Sequence, residues 1–448
     1  MNAVSPVSRS LSTNPLKSSA PLGAAMAYLG VEGAVPLFHG SQGCTAFALV
    51  LLVRHFKEAI PIQTTAMNEV STILGGADHV EEALLNIKKR MNPKLVGICS
   101  TALTETRGED FEGDLRLILT KRAADLKGTE IVFASTPDFS GALEEGWAKA
   151  CHAIVNALTP VGVTTIAGQV NVLTGVHLTA ADIESLRDTI EAFGLEPIFL
   201  PDVSQSLDGI TTGEWSAATY GGTTLDRIRA MGASCATLAV GEHMREAALL
   251  LGERTGAPVH VFPTLTGLDA CDDLTAALME ISGRKAPAIV QRERQRLLDA
   301  MLDGHFYFAG KQVAIAAEPD LLLSMATLAT DLGAKIVAAV TTAPGSAAID
   351  LTPADVIVGD LGDLEDMAGE ADLIMTHSHG RQAAERLGVP HLRIGFPVFD
   401  RLGAAYRATL GYAGTRSLIF ETANLLLAAP HGQHAHDDQD HKQKEQIP

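Results

Sequence analysis

The fold of this chain is indicated most clearly by residues 312–340, QVAIAAEPDLLLSMATLATDLGAKIVAAV. Residues 312–316 and 335–340 are short runs that are apolar on both faces, as expected of strands covered by helices on two sides. Between them, Pro319 is suited to the first turn of a helix and Gly333 to its end. The apolar residues of that helix recur at helical spacing: Leu322, Met325, Leu328 and Leu332. The stretch therefore predicts a β-α-β unit with parallel strands.

The same alternation runs through the chain from about residue 94 onward. The other candidate strands are residues 94–100, 130–135, 163–168, 197–200, 235–240, 259–262, 356–358, 373–376 and 391–394. A helix is predicted to be capped by Asp182 and stopped by Gly194. These repeats predict an α/β fold of Rossmann-like, doubly wound domains with mostly parallel sheets.

Three such domains are predicted, because eleven strands are more than a single twisted sheet usually contains. One junction is expected near residues 158–162, which contain Pro160, and another where the charged stretch 292–296 leads to Gly304. The predicted domains are residues 1–160, 161–305 and 306–429. Residues 430–448 are rich in His, Gln and Asp, and we expect this tail to be disordered because it cannot bury enough apolar surface.

The net charge and the hydropathy of the chain argue against two classes of protein, nucleic-acid-binding proteins and membrane-spanning proteins. The 448 residues include 34 Lys and Arg against 53 Asp and Glu, a net charge of −19. Nucleic acid is an unfavourable partner for such a chain, because phosphate backbones are bound by clustered basic residues. There is no uninterrupted apolar run of about 18 residues, so a membrane span is not expected. We expect a cytoplasmic protein.

Familiar catalytic motifs are missing from the sequence. It contains no G-x-G-x-x-G, H-E-x-x-H or G-x-S-x-G pattern, and we predict no catalytic residue. His377 and His379 flank Ser378 at the end of a predicted strand, where either a ligand site or a polar loop could form. Four histidines of the tail could bind metal loosely; they are His431, His434, His436 and His441.

The most informative motif is residues 39–44, HGSQGC. Two glycines bracket a turn that brings Cys44 to the start of a helix, in apolar surroundings. Backbone without side chains lets a bulky group approach, and a helix N-terminus favours a thiolate that can bind metal or attack an electrophile. The alternative is a buried structural cysteine. The five cysteines include no C-x-x-C pair, so a local zinc site and a disulfide framework are both disfavoured.

This motif and several others closely resemble the β-type subunits of the nitrogenase component 1 family. The resemblance continues through residues 54–58 (RHFKE), 69–76 (EVSTILGG), 104–110 (TETRGED) and 394–401 (IGFPVFDR). It spans nearly the whole chain and implies the fold of those subunits. In that family the H-G-S-Q-G-C turn supplies a ligand to an iron–sulfur cluster, which implies that Cys44 is a metal ligand.

Two other cluster cysteines of the catalytic β subunits are absent. The segment 14–19, NPLKSS, has Ser19 at the thiol position, and the segment 100–106, STALTET, has Ala102. Alanine cannot bind iron, and a four-iron cluster needs about four thiolates. Cys44 could therefore serve only if a partner chain contributes the others, which predicts a cluster at an interface and an obligate hetero-oligomer.

This pattern is similar to the β-type subunit of the scaffold on which the nitrogenase iron–molybdenum cofactor is matured. The resemblance implies an α2β2 complex with NifE, a [4Fe-4S] cluster shared at each αβ interface, and a cofactor precursor held mainly by the partner. It also implies NifB as the precursor donor, and NifH as the reductase that delivers electrons and molybdenum with homocitrate. The apo molybdenum–iron protein would be the recipient. We expect a non-enzymatic scaffold.

Three alternatives remain open at this point. A catalytic β-type subunit of nitrogenase is opposed by Ser19 and Ala102. A subunit of dark-operative protochlorophyllide reductase is opposed by the closer match of the motifs to nitrogenase. Outside the family, a nucleotide-sugar enzyme with paired doubly wound domains would share the same β-α rhythm.

Overall fold

A computed structural model describes residues 5–6, 14–68, 71–72, 75–106, 108, 110–207 and 216–429. The predicted tail, residues 430–448, lies outside the described residues together with its four histidines. Parts of the motifs 69–76 and 104–110 also lie outside them. Among the described residues, no helix combines the length and apolar character needed to cross a membrane.

The described strands and helices alternate along most of the chain. The strands are β1 Ser5–Pro6, β2 Ala34–His39, β3 Gln63–Thr64, β4 Leu95–Ser100, β5 Glu130–Ala134, β6 Ile166–Leu173, β7 Glu196–Leu200, β8 Ser234–Val240, β9 Val259–Phe262, β10 Gln312–Ala317, β11 Lys335–Thr341, β12 Ile357–Val358, β13 Leu373–Thr376 and β14 His391–Arg393. The helices are α1 Ala20–Leu29, α2 Gln42–His55, α3 Ala77–Met91, α4 Ala102–Glu105, α5 Phe111–Lys121, α6 Leu143–Leu158, α7 Ala180–Ala192, α8 Leu225–Ala230, α9 Arg245–Thr255, α10 Leu268–Ser282, α11 Ala288–Phe308, α12 Pro319–Asp331, α13 Ala347–Leu351, α14 Leu361–Met367, α15 Arg381–Leu387 and α16 Gly411–Ala428.

The described strands form three sheets in which every paired neighbour is parallel. Their orders are β3-β2-β4-β5, β7-β6-β8-β9 and β1-β12-β11-β10-β13-β14. Parallel strands need crossover connections, which the intervening helices provide. The predicted fold class, α/β with three mostly parallel sheets, is confirmed.

All eleven predicted strands are present, but β1, β2 and β3 were not predicted. Strand β2 is fully buried and lies inside its sheet, although Pro36 interrupts its apolar run. Proline cannot donate to a strand ladder and ordinarily argues against an interior strand. Packing of the whole buried segment outweighs that local signal.

The three sheets follow one another along the chain in the order of the predicted domains, whose bounds remain a prediction. One strand lies outside this order. Strand β1 pairs with β12 in the third sheet, although residues 5–6 were assigned to the first domain. Farther along, the Leu361 N–H donates to the Asn14 carbonyl at 3.0 Å. Residues 5–6 therefore belong to the third sheet, and Asn14 is bonded to the start of α14.

The predicted cap of α7 is wrong by three residues. Thr179 is the N-cap, and its hydroxyl accepts a hydrogen bond from the Asp182 N–H at 3.1 Å. The Asp182 carboxylate accepts in return from the Thr179 N–H at 3.1 Å. This reciprocal arrangement is a capping box, in which an acidic residue at the third helical position is easily mistaken for the cap itself. At α12, Pro319 begins the helix and Gly333 follows its end with φ of +88°, as predicted.

Helices α1 and α6 pack closely, and this contact positions the start of both helices. A Cβ atom on Gly23 would lie 2.0 Å from the Leu143 carbonyl oxygen, and one on Gly146 would lie 1.8 Å from that of Ala20. Only glycine permits such an approach. The contact brings the first turn of α6 beside the segment that begins α1.

Candidate metal-cluster site

Cys44 lies in the first turn of α2, in a connection that hydrogen bonds fix from two sides. The Thr101 hydroxyl donates to the His39 carbonyl at 3.0 Å, and the Gly40 N–H donates to the Thr65 hydroxyl at 3.1 Å. A Cβ on Gly40 would lie 2.5 Å from the Thr101 hydroxyl oxygen, so this position requires glycine. The turn is held by its neighbours before any ligand binds.

The Cys44 thiol is exposed, which excludes the alternative of a buried structural cysteine. Its sulfur lies 3.4 Å from the Ser41 hydroxyl oxygen. Beside it, a Cβ on Gly43 would have only the Ser41 hydroxyl within 4 Å. The thiol therefore faces open space that can admit a bulky group.

A cavity of about 630 Å³ opens beside Cys44. Its lining includes residues 14–19, the turn containing Cys44, Thr101 at the end of β4, and the connection after β13 with His377 and His379. The carboxyl ends of parallel strands are where doubly wound folds place ligands. Among the described residues that line this cavity, Cys44 is the only cysteine.

The two positions that lack a thiol lie close to this cavity. Ser19 lines it and caps α1, since its hydroxyl accepts from the Leu22 N–H at 3.4 Å. Ala102, the first residue of α4, directly follows the cavity-lining residue Thr101. The structure thus brings the three motif segments to one place, with a thiol on one of them.

The other four cysteines are less accessible than Cys44. Cys99, Cys151 and Cys271 are buried, and Cys235 is partly buried. Burial raises the pKa of the Cys99 and Cys151 thiols and raises that of Cys271 to about 12. A thiolate is the form that binds metal, so these buried cysteines are poor ligands.

His377 belongs to the polar connection that was one of the two sequence interpretations. Its Nε2 lies 3.2 Å from the Leu16 carbonyl oxygen, and its Nδ1 accepts from the His379 N–H at 3.3 Å. Burial is the main cause that lowers the His377 pKa to about 4. The hydrogen bond from the neutral imidazole to the Leu16 carbonyl therefore connects residue 16, in the cavity lining, to the end of strand β13 in the third sheet.

Two motifs quoted for the family resemblance contact each other. The His55 Nδ1 accepts from the Val398 N–H at 2.9 Å, and the Arg54 guanidinium lies 3.9 Å from the centre of the Phe399 ring. Burial is the main cause that lowers the His55 pKa to about 4. These contacts fix the end of α2 against residues 394–401, so the motifs position the helix that carries Cys44.

Helix α2 also has an exposed apolar face, which sequence reasoning missed. Phe47 is 69% exposed, Val50 49% and Val53 38%. Residues three apart lie on one side of a helix, so these side chains form one patch that continues from Cys44. Their spacing is visible in the sequence, but their exposure depends on which face packs inward.

Comparisons with known proteins support the family resemblance. Residues 19–427 match the family described as nitrogenase component 1 type oxidoreductase. A protein of Rhizobium meliloti (strain 1021) is 57% identical over 92% of this chain and 94% of its own length. One of Mesorhizobium japonicum is 56% identical over 94% and 92%, and one of Klebsiella pneumoniae is 38% identical over 94% and 92%. All three are named nitrogenase iron-molybdenum cofactor biosynthesis protein NifN.

Solved structures show the same fold. A chain of "Nitrogenase Cp1 at pH 6.5" superposes with a TM-score of 0.89 at 30% identity, over 95% of this chain and 96% of that one. A chain of "Nitrogenase Cp1 at pH 5" gives a TM-score of 0.66 at 13% identity, over 95% and 90%, and is alike in fold alone.

Proposed function

Because this chain belongs to the nitrogenase component 1 family, we propose that it is the β-type subunit of the scaffold on which the iron–molybdenum cofactor is assembled. In this proposal the chain forms an α2β2 complex with NifE and gives Cys44 to an interfacial [4Fe-4S] cluster. The names of its relatives support a role in cofactor biosynthesis. The observation that carries the finer proposal is one exposed thiol on a cavity whose two other motif positions lack one.

The donor set supports a shared cluster rather than one held by this chain alone. A four-iron cluster takes about four thiolates, and Cys44 is the only cysteine among the described cavity-lining residues. The Ser19 hydroxyl is occupied as a helix cap, and both ring nitrogens of His377 are engaged. The remaining ligands would therefore come from NifE. When bound, the cluster would supply electron transfer.

The exposed face of α2 supports the position of that partner. Phe47, Val50 and Val53 form an apolar patch on the same helix as Cys44. Exposed apolar patches of this kind mark protein interfaces. A partner that covers the patch would also reach the thiol, so one docking event would bury the apolar side chains and complete the ligand set.

We propose no catalytic residue in this subunit. The cofactor precursor is cargo, held mainly by NifE and received from NifB, and NifH would deliver electrons, molybdenum and homocitrate. The matured cofactor would pass to the apo molybdenum–iron protein. Positioning of the cargo and electron supply, rather than acid–base chemistry by this chain, would drive the maturation.

A catalytic β-type subunit of nitrogenase is the second candidate, favoured by the structural likeness to nitrogenase Cp1. Ser19 and Ala102 oppose it because they leave one thiol of the three.

Co-expression with NifE distinguishes the two candidates. The purified complex is assayed for iron and for reduction of acetylene in the presence of NifH. We expect an iron–sulfur protein that copurifies with NifE and does not reduce acetylene at nitrogenase-like rates. Rates like those of nitrogenase would contradict the scaffold proposal, and a chain that never associates with NifE would contradict the shared cluster.

A further inference from the structure

Four polar residues from three parts of the fold meet at a place that is not part of the lining of the Cys44 cavity. Glu144 is the second residue of α6, and Asp320 is the second residue of α12. His177 follows β6, and His243 follows β8. One ligand atom from each lies within 4.8 Å of the others. All four lie in connections that leave the carboxyl ends of parallel strands, where folds of this class bind ligands.

Hydrogen bonds account for part of this cluster. The Asp320 N–H donates to the Glu144 carboxylate at 2.9 Å. The Val176 N–H donates to the His243 Nε2 at 3.2 Å, so the ring proton of a neutral His243 is on Nδ1. That proton is donated to the Asp320 carboxylate. His243 is therefore fully engaged and orients Asp320.

Three atoms of the cluster have no hydrogen-bond partner. They are Oε2 of Glu144, Oδ1 of Asp320 and Nδ1 of His177. Glu144 is 1% exposed and Asp320 is 0% exposed. Buried polar atoms are normally paired because an unpaired one has lost its water without compensation. These three atoms belong to residues that meet at one point, so together they form a set of donors that one cation can engage.

The backbone around the cluster is shaped to bring the side chains together. A Cβ on Gly241 would lie 2.6 Å from the Asp320 Oδ2. A Cβ on Gly175 would lie 2.9 Å from the His177 Nδ1. Both glycines therefore allow a close approach that another residue would block.

We propose that Glu144, His177 and Asp320 bind one divalent transition-metal ion, Zn²⁺ or Fe²⁺. One imidazole nitrogen and two carboxylate oxygens suit these metals. Two carboxylates neutralise the charge of the ion, which a buried site requires. The His243–Asp320 hydrogen bond is the kind of contact that orients metal ligands. The ion would cross-link connections from all three sheets.

Protonation of the apo site follows from burial. Burial is the main cause that raises the pKa of Glu144, and the nearby Asp320 raises it further. Burial alone would also raise the Asp320 pKa, but His243 and His177 lower it overall. A proton therefore competes with a metal ion for Glu144 more than for Asp320.

Zinc binding to the full-length chain tests this proposal. A Cys44→Ala background removes the ligand of the proposed iron–sulfur cluster and its iron. The chain is treated with a chelator, loaded with Zn²⁺, desalted, and analysed for metal content and by zinc X-ray absorption. We expect about one Zn²⁺ per chain, with nitrogen and oxygen ligands and no sulfur. Glu144→Gln, which resembles the neutral acid, should weaken Zn²⁺ binding by more than about tenfold.

Asp182→Asn is the matched control, because Asp182 is equally buried but its carboxylate is engaged by Thr179 and Leu410 N–H groups. It should bind Zn²⁺ like the background chain. Absence of Zn²⁺ binding by the folded background chain would overturn the proposal, as would equal binding by Glu144→Gln. If Glu144→Gln does not fold, His177→Ala gives the same test from a partly exposed ligand. These outcomes are independent of any partner subunit.

Discussion

The proposed Cys44 site and the proposed Glu144–His177–Asp320 site would hold a metal in different ways. The first offers one exposed thiol on a roomy cavity beside an uncovered apolar helix. The second offers two buried carboxylates and one partly buried imidazole where connections from the three sheets meet. A site with too few donors at a surface requires a partner, whereas a site with enough donors in the interior does not. Metal binding at the two sites should therefore respond differently to loss of the partner.

The largest expected effect is a loss of stability caused by a substitution at the contact between α1 and α6, the helices that connect the two regions. Gly146→Ala places a methyl group 1.8 Å from the Ala20 carbonyl oxygen, so α1 and α6 must separate. We expect a loss of at least about 3 kcal/mol in the free energy of unfolding, the upper part of the range for overpacking. The structure of both regions should be disturbed, because α1 begins at the Cys44 cavity and α6 carries Glu144.

Urea denaturation measures this loss. Gly369→Ala is the control, because a Cβ at exposed Gly369 meets nothing within 4 Å. If both variants unfold at the same urea concentration, the α1–α6 contact is not as close as described.

The next effect is a pH dependence at the loop that holds α2. Burial alone would raise the Asp400 pKa, but Arg393, with an N···O distance of 2.7 Å, and Ser378 lower it to about 2. A lowered pKa stabilises the folded state above the unfolded pKa of about 3.9, and this contribution disappears as pH falls toward 2. Asp400→Asn should therefore lower the free energy of unfolding by about 2 kcal/mol at pH 7.

Unfolding of the wild type and Asp400→Asn between pH 7 and pH 2 checks this prediction. The difference between the two chains should shrink through the window from about pH 4 to pH 2. A difference that stays constant over that window would show that the loss comes from packing rather than charge.

A smaller effect concerns the partner and should spare the buried cluster. Phe47→Asp places a charge on the exposed patch of α2, and we expect association with NifE to weaken by about tenfold or more because interface aromatics dominate binding energy. The unfolding free energy of the chain alone should change little, since Phe47 is 69% exposed.

Leu117→Asp is the control for Phe47→Asp. Leu117 is 70% exposed on α5, so the change has similar chemistry elsewhere on the surface. Binding to immobilised NifE separates the two variants. Equal weakening by both would remove the patch from the proposed interface.

The smallest effect concerns Ser19. Ser19→Ala deletes the hydroxyl that accepts from the Leu22 N–H, which should cost about 1 kcal/mol as a lost helix cap. Iron content of the NifE complex should be unchanged, because Ser19 is a cap and not a ligand. Thermal unfolding and iron analysis of the same preparation give both values; loss of iron without loss of stability would assign Ser19 to the cluster instead.

The sheets could be predicted because parallel strands that are covered on both faces consist mainly of apolar residues, as in residues 313–316. Strand β2 was not predicted. Pro36 lies in its middle, and proline ordinarily argues against an interior strand, but burial of the whole segment outweighs that signal. Cys44 was singled out because its motif, residues 39–44, is contiguous in sequence; its role as a ligand stays a prediction. Glu144, His177, His243 and Asp320 were missed because their proximity depends on how three sheets assemble, and each residue is unremarkable in its own segment.

If Cys44 is this chain's ligand to a cluster shared with NifE, the Cys44→Ala variant of the NifE complex should lose that ligand. Iron analysis and EPR of this complex measure the loss, with Cys235→Ala as the control at a partly buried cysteine. We expect that Cys44→Ala loses or alters the four-iron EPR signal, whereas Cys235→Ala keeps it. An unchanged four-iron signal and unchanged iron content in the Cys44→Ala complex would show that Cys44 is not a ligand.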